Sequence, residues 1–181
     1  MNDMNTESTT LHGVYMEVLG LGALLTGKSG IGKSELALGL IDRGHHLIAD
    51  DAIEFTKDNN GHLIGTCPTL LQDFLEIRGI GILNIRAMFG DSAIQKSKRL
   101  QLIVRLEHFT EEDLHAIDRL HGMHTSQEIL SITIPEVTIP VTFSRNLAIL
   151  VETAVRNELL KQEGYLAHEE FKTRLHQQLY K

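Results

Sequence analysis

One cysteine stands in the whole chain, Cys67. It has no partner for an internal disulfide and no cysteine or histidine at zinc-finger spacing. That excludes a disulfide-stapled scaffold and a structural zinc finger, and it fits a reducing cytoplasm. The thiol is expected to be a buried spectator. Long apolar runs are missing too, since no stretch reaches the ~18 residues of a membrane helix. The opening "MNDMNTESTT" has neither the basic nor the apolar segment of a secretory leader, so residues 1–10 read as a flexible polar tail. Nor is there a basic excess: the net charge of −7 offers no broad attraction to nucleic acid or to an anionic membrane face. "QKSKR" at 95–99 is a local basic run, read as a solvated turn before a strand. Internal repeats, low-complexity segments and linkers are absent as well. Residues 11–181 are therefore expected to form one α/β domain around a core sheet, and a hydrophobic content of 42% is enough to give it a real core.

What is present is well punctuated. "VYMEVLGLGALLT" at 14–26 is apolar and broken by Gly20 and Gly22, which predicts two short strands joined by a tight turn. Leu36 and Leu40 start a helix, and strands are expected near 46–49, 52–57 and 62–66. "LEIRGIGILNI" at 75–85 alternates like a strand, and "LQLIVRL" at 100–106 is a nearly continuous apolar one. "TEEDLHAIDRL" looks helical, with Thr110 as its N-cap. Pro135 and Pro140 should confine their segment to a sheet edge or to extended chain. Leu147, Leu150, Val151, Ala154 and Val155 trace the stripe of a long amphipathic helix, with Ser144 as N-cap and Gly164 as stop. Phe171, Leu175 and Leu179 mark a last helix.

The chemistry begins in "LLTGKSGIGKSELALGL" at 24–40. Gly27, Gly32, Lys33 and Ser34 satisfy G-x-x-x-x-G-K-[ST], after an apolar strand and before an apolar-faced helix. In such a loop the backbone N–H groups of Gly27, Lys28, Ser29, Gly30, Ile31 and Gly32 turn towards phosphate oxygens. The helix N-terminus adds partial positive charge, Lys33 reaches the outer phosphates and the Ser34 hydroxyl can ligate Mg²⁺. ATP and Mg²⁺ are the expected cofactors.

Asp50 and Asp51 follow an apolar strand, where phosphate-binding folds keep a metal carboxylate. Neighbouring side chains of an extended chain point to opposite faces, so the pair suits two separate jobs, one holding Mg²⁺ or its water and one accepting a proton. Glu76 can complete the Mg²⁺ site that Ser34 begins; a surface ion pair between Glu76 and Arg78 is the plainer alternative. His115, His121 and His124 are close in sequence but offer no third metal ligand in a helical register and are read as loop histidines. By spacing alone His12 and Arg119 signify nothing.

Taken together, these stretches resemble the catalytic domain of HPr kinase/phosphorylase, bacterial enzymes that modify a serine of the phosphocarrier protein HPr. The resemblance runs from about Leu11 to Phe171. It rests on "LHGV", "GKSGIGKSE", "GHHLIADD", "LEIRGIGILNI" with "MFG" after it, "DRL" at 118–120, "IPVTFSRNLAILVETAVRN" and "GY" at 164–165. It implies a P-loop kinase domain, a core β-sheet flanked by helices, similar to the phosphoenolpyruvate carboxykinase-like nucleotide-binding fold. It also implies ATP-dependent phosphorylation of HPr, reversal by inorganic phosphate to give pyrophosphate, and a homohexamer. Position by position, His12, Lys33, Asp51 and Arg119 match the catalytic set, and Ser34 and Glu76 the Mg²⁺ ligands. One stretch departs from the pattern: where the family commonly has P-V-R-P-G-R-N-L-A, this chain has "PVTFSRNLA". Thr142, Phe143 and Ser144 remove one charge and one flexible position from a loop associated with dephosphorylation, which favours the kinase direction. Two other functions keep the phosphate loop. A P-loop kinase for a small metabolite would need a mobile arginine-rich lid, and a nucleotide-gated binding module without transfer would not need its base.

Overall fold

The computed structural model describes residues 6–181. The strands β1 (Ser8–Val18) and β2 (Leu21–Thr26) form an antiparallel hairpin across a two-residue turn, with Leu19 at φ 53° and Gly20 at φ 84°. The polar tail expected over 1–10 is therefore shorter: Ser8, Thr9 and Thr10 pair with Thr56, Phe55 and Glu54. The long strand β3 (His46–Lys57) supplies backbone partners that a reading of side-chain polarity misses. The remainder of that expectation, residues 1–5, lies outside the described residues.

Five strands close on one another. β1 lies between β2 and β3; β3 pairs with β4 (Leu63–Thr66); β4 pairs with β7 (Ser97–His108); and β7 returns to β2 in parallel. The enclosed core comes from strands facing inwards, with Tyr15, Leu24, Ile53, Phe55, Leu63 and Ile103 all buried. The rings of Tyr15 and Phe55 meet edge to face, centroids 5.1 Å apart, and the Tyr15 hydroxyl donates to the Lys98 carbonyl at 2.7 Å. Alternate residues of the same strands, Val14 and Met16 among them, face the other way. There they meet Leu36, Ala37, Leu40 and Ile41 of α1 (Lys33–Asp42) and Val151 and Val155 of α4 (Leu147–Gln162). Glu152 of α4 ties that helix to the end of α1, accepting from Arg43 through both carboxylate oxygens and lying 3.0 Å from His45 Nε2.

β9 (Ile132–Val141) extends the sheet beside β7, and β8 (His124–Ile129) covers β9. The proline segment is thus not an edge strand. Each proline instead sits where one neighbour is absent: pairing with β7 begins at Glu136, just after Pro135, and pairing with β8 ends at Val137, before Pro140. The run at 75–85 is not one strand but a hairpin, β5 (Phe74–Ile77) and β6 (Gly81–Asn84), reversed at Gly79. α2 (Ile85–Phe89) follows it. α3 (Glu111–His115) is a single capped turn in which Thr110 and Asp113 bond reciprocally, shorter than the pattern predicts. α4 is capped by Asn146, whose side chain accepts from Ile149 N–H, and not by Ser144; Gly164 ends it at φ 93°. α5 (Ala167–Leu179) has no buried residue.

The consequence for function lies in direction. β2, β7 and β9 are parallel, so the phosphate loop, the segment bearing Arg119 and the 142–146 loop all leave the sheet from the same end. Ligands of open parallel sheets collect at the carboxyl ends of strands.

Candidate active site

β2 delivers the chain to Gly27, whose φ is 144° and whose hypothetical Cβ would lie 2.7 Å from the Leu106 carbonyl oxygen of β7. Only glycine fits there, because a backbone atom cannot move aside. Ile31 is buried under the loop and its N–H donates to the Lys28 carbonyl at 3.1 Å, which ties the loop to the core. The Lys33 ammonium folds back onto the loop, donating to the carbonyls of Gly27 (2.7 Å) and Lys28 (3.0 Å). The helix α1 begins at that point with its N–H groups directed into the same space.

That space is a cleft of about 490 Å³. It is lined by loop residues and by His12, Lys33, Ser34, Asp50, Asp51, Glu76 and Arg78. Four separate segments contribute, and the β1–β3 register explains two of them, placing Gly13 opposite Asp51. Asp51 adopts φ 71°, a left-handed conformation that costs a non-glycine residue about 1–2 kcal/mol. It interrupts the alternation expected of an extended pair, so Asp50 and Asp51 both line the cleft instead of facing opposite ways. His12 Nδ1 lies 3.1 Å from the Asp51 carbonyl oxygen and 3.8 Å from its Oδ1. A carbonyl only accepts, so Nδ1 carries the proton of that bond.

Asp50 is more enclosed. Its Oδ2 accepts the Glu76 N–H at 3.0 Å, which clamps the β5–β6 hairpin against β3. Burial raises its pKa above the ordinary carboxylate value; the N–H groups of Glu76 and Asp51 work against that, and the carboxylates of Asp51 and Glu76 add to it. Ser34, Asp50, Asp51 and Glu76 present only oxygen. Among the described residues no group of three or more histidine, cysteine or acidic side chains forms a closed metal cage. An open oxygen set of this kind suits Mg²⁺, which takes one or two carboxylates and completes its shell with waters and phosphate oxygens.

The structure therefore brings together His12, Lys33, Ser34, Asp51 and Glu76 with Gly27, Ser29, Gly30 and Gly32. Lys28 and Ile31 belong to the loop without lining the cleft, Ile31 because it points into the core. Arg119 is not brought there: it lies in the turn where Asp118 accepts the N–H groups of Leu120 and His121, on the segment between β7 and β8. Arg78 does line the cleft and, among the described residues, makes no ion pair with Glu76, contrary to the plainer reading of that pair; the turn at Gly79 takes it out of the strand. The histidines at 121 and 124 pack instead by His168 and Lys161, His121 and His168 having ring centroids 4.0 Å apart.

A family model described as the HPr Serine kinase C-terminal domain matches residues 3–175. The chain belongs to that family. Among similar proteins, the HPr kinase/phosphorylase of Stenotrophomonas maltophilia is 52% identical over 155 residues, 85% of this chain and 49% of that protein. The HPr kinase/phosphorylase of Chromobacterium violaceum is 48% identical over 164 residues, 91% of this chain and 52% of that protein. The chain thus spans about half the length of the curated relatives it matches. A solved structure described as the Hpr(Ser) kinase/phosphatase from Coxiella burnetii superimposes with a TM-score of 0.80 at 38% identity, covering 90% of this chain and 98% of that one. The α/β architecture with its phosphate loop is therefore the fold of this HPr kinase family.

Proposed function

We propose that this domain transfers the γ-phosphoryl group of Mg·ATP to a serine hydroxyl of an HPr-like phosphocarrier protein. The single observation that carries the proposal is the cleft itself, where a phosphate loop faces an exposed aspartate held by a histidine. The family's relatives bear the matching name.

In this reading the loop N–H groups and the α1 N-terminus bind the phosphates, and Lys33 exchanges its loop carbonyls for phosphate oxygens when nucleotide arrives. Ser34 and Glu76 would hold Mg²⁺, with Asp50 beside them; the ion supplies charge neutralisation to the phosphates. Asp51 takes the proton of the serine hydroxyl as its oxygen attacks the γ-phosphorus and the bond to the ADP oxygen breaks. His12, fixed by the Asp51 carbonyl, directs Nε2 into the phosphate neighbourhood. Arg119 acts from its own loop at the same end of the sheet, reaching the developing charge once the protein substrate is seated.

Reversal runs through the same groups: an oxygen of inorganic phosphate attacks the phosphoserine phosphorus, the bond from phosphorus to the serine oxygen breaks, pyrophosphate is released and Asp51 returns the proton to the serine oxygen. The 142–146 loop, with Phe143 fully exposed and the Thr-Phe-Ser stretch in place of a basic, glycine-containing one, disfavours that return step. Assembly into a hexamer and action in the cytoplasm belong to the same proposal. The exposed Phe171, Leu175 and Leu179 of α5 support the first. Among the described residues no helix is long and apolar enough to cross a membrane.

The test is intact-mass analysis of HPr from the same organism, incubated with this protein, Mg²⁺ and ATP, then freed of ATP and given phosphate. One added phosphoryl group is expected, persisting or turning over slowly in phosphate. No addition at all overturns the proposal, and rapid erasure overturns the directional part of it.

A further inference from the structure

A second cavity shares no lining residue with the phosphate cleft and stands at the amino ends of β7 and β9, whereas the phosphate loop leaves from a carboxyl end. Its origin is a split in the sheet. β7 pairs with β4 as far as Arg99 and with β9 only from Ile103, so Leu100, Gln101 and Leu102 have no strand on that side. β9 in turn pairs with β8 from Ile132 but reaches β7 only at Glu136. The gap between them, with Glu158 and Gln162 of α4 along it, encloses about 390 Å³. Peptide groups that border such a gap keep spare hydrogen-bonding capacity for a polar molecule.

Two charges of opposite sign line this cavity without meeting. Arg99 and Gln101 stand two apart on one face of β7, and Glu158 and Gln162 four apart on one face of α4. Gln101 Nε2 lies 3.5 Å from Gln162 Oε1, which joins those two faces and puts the guanidinium and the carboxylate on opposed walls. The groups acting on Glu158 are its helix neighbours Lys161 and Gln162, and Arg99 acts instead on Asp58. Glu158 is only 8% exposed. Burial raises its pKa, against the opposing effects of Lys161 and Gln162, so a further cationic partner would favour the carboxylate. Leu63, Leu100, Ile132, Ile134 and Pro135 supply an apolar wall. A purely anionic ligand would meet Glu158 and a purely cationic one Arg99, whereas a molecule bearing both charges satisfies both walls.

We propose that this cavity binds a small zwitterion, an amino acid whose carboxylate is gripped by Arg99 and whose ammonium is held by Glu158, with its hydrocarbon body on the apolar wall. The guanidinium fork matches a carboxylate with two parallel donors, and the volume lies at the small end of the range for ligand sites, roughly 300–1,000 Å³. The site is separate from the phosphate chemistry, so the inference does not depend on the kinase reading.

The experiment follows backbone amide shifts of the isotope-labelled full chain by nuclear magnetic resonance. L-leucine, δ-aminovalerate, isoamylamine or isocaproate is added to wild type, Arg99→Gln and Glu158→Gln, with thermal melts alongside. Saturable shifts centred on Gln101, Thr133 and Ile134 are expected from a zwitterion, tightest from L-leucine where the two charges must lie close and from δ-aminovalerate where they must lie apart. The lone amine and the lone acid should bind at least about tenfold more weakly, each lacking one charge-assisted contact. Arg99→Gln should weaken the zwitterion by at least about tenfold and leave the amine within about twofold; Glu158→Gln should weaken it equally and leave the acid within about twofold. No saturable shift from either zwitterion up to about 10 mM overturns the inference. So does a lone amine or acid that binds as tightly, or a zwitterion affinity that neither variant alters. Unchanged melting temperatures show that a lost affinity is not a lost fold, and the comparison of the four compounds on wild type decides without any variant.

Discussion

Replacing Asp51 with asparagine separates chemistry from architecture at the centre of the cleft. The backbone at this position stands at φ 71°, where asparagine is among the few side chains that are comfortable, so Asp51→Asn adds no backbone strain. The hydrogen bond from His12 goes to the Asp51 carbonyl, which the substitution keeps. What it removes is the 3.8 Å charge contact to His12, between side chains that are 76% and 83% exposed, and such contacts contribute little. The fold should therefore hold within about 0.5 kcal/mol. Mg·ATP affinity should stay within about threefold, because neither the loop nor Lys33 is touched. Transfer should fall by about 10² to 10⁴, the usual contribution of a positioned general base. Intact-mass time courses of the phosphocarrier give the rate, calorimetry the affinity and a thermal melt the stability. A variant that transfers within tenfold of wild type refutes the assignment of Asp51 as base. If Asp50→Asn then abolishes transfer, the two aspartates exchange roles.

Gly27→Ala should lower nucleotide affinity by at least about tenfold and lower the melting temperature. Its Cβ would meet the Leu106 carbonyl at 2.7 Å, and both the loop and β7 would have to move; unchanged calorimetric binding would contradict the close approach. Glu152 is held by Arg43 and His45, which push its pKa down to about 2. A depressed carboxylate adds stability above its unfolded value of about 4.3 and loses it as pH falls towards the folded one. Glu152→Gln should thus cost about 1–2 kcal/mol at neutral pH, discounted for the half-exposed Arg43. The gap between wild-type and variant melting temperatures should close between about pH 4.3 and pH 2, and a gap independent of pH would sink the argument. Burial first, then the nearby charges of Asp73, Glu54 and Asp50, pushes the Cys67 thiol up to about 11. Iodoacetamide should leave the native protein unlabelled at neutral pH and label it fully in denaturant; rapid native labelling would show the thiol to be accessible.

The elements that could be read from the chain are those whose signal is local. A phosphate loop is a short, contiguous requirement on glycines, lysine and serine, and the strand before it and helix after it are contiguous too. The stripe of α4 and the stop at Gly164 follow from helical periodicity and a left-handed cap. Lys33, Ser34, Asp51 and Glu76 line the cleft and each is embedded in a recognisable string, while His12 and Arg119 are singled out by family resemblance alone. Tertiary structure decided everything that depends on who lies beside whom. It placed Ser8–Thr10 in a strand because β3 is long enough to pair with them, and it admitted two prolines to a covered strand because its neighbours are staggered. It turned Asp50 and Asp51 into the same cleft through one left-handed residue, and left Arg78 unpaired over Gly30 when spacing alone would have paired it with Glu76. Residue type and spacing decide what a segment can do; only the closing of the sheet, which brings residues far apart in the chain within a few ångströms, decides what they do together.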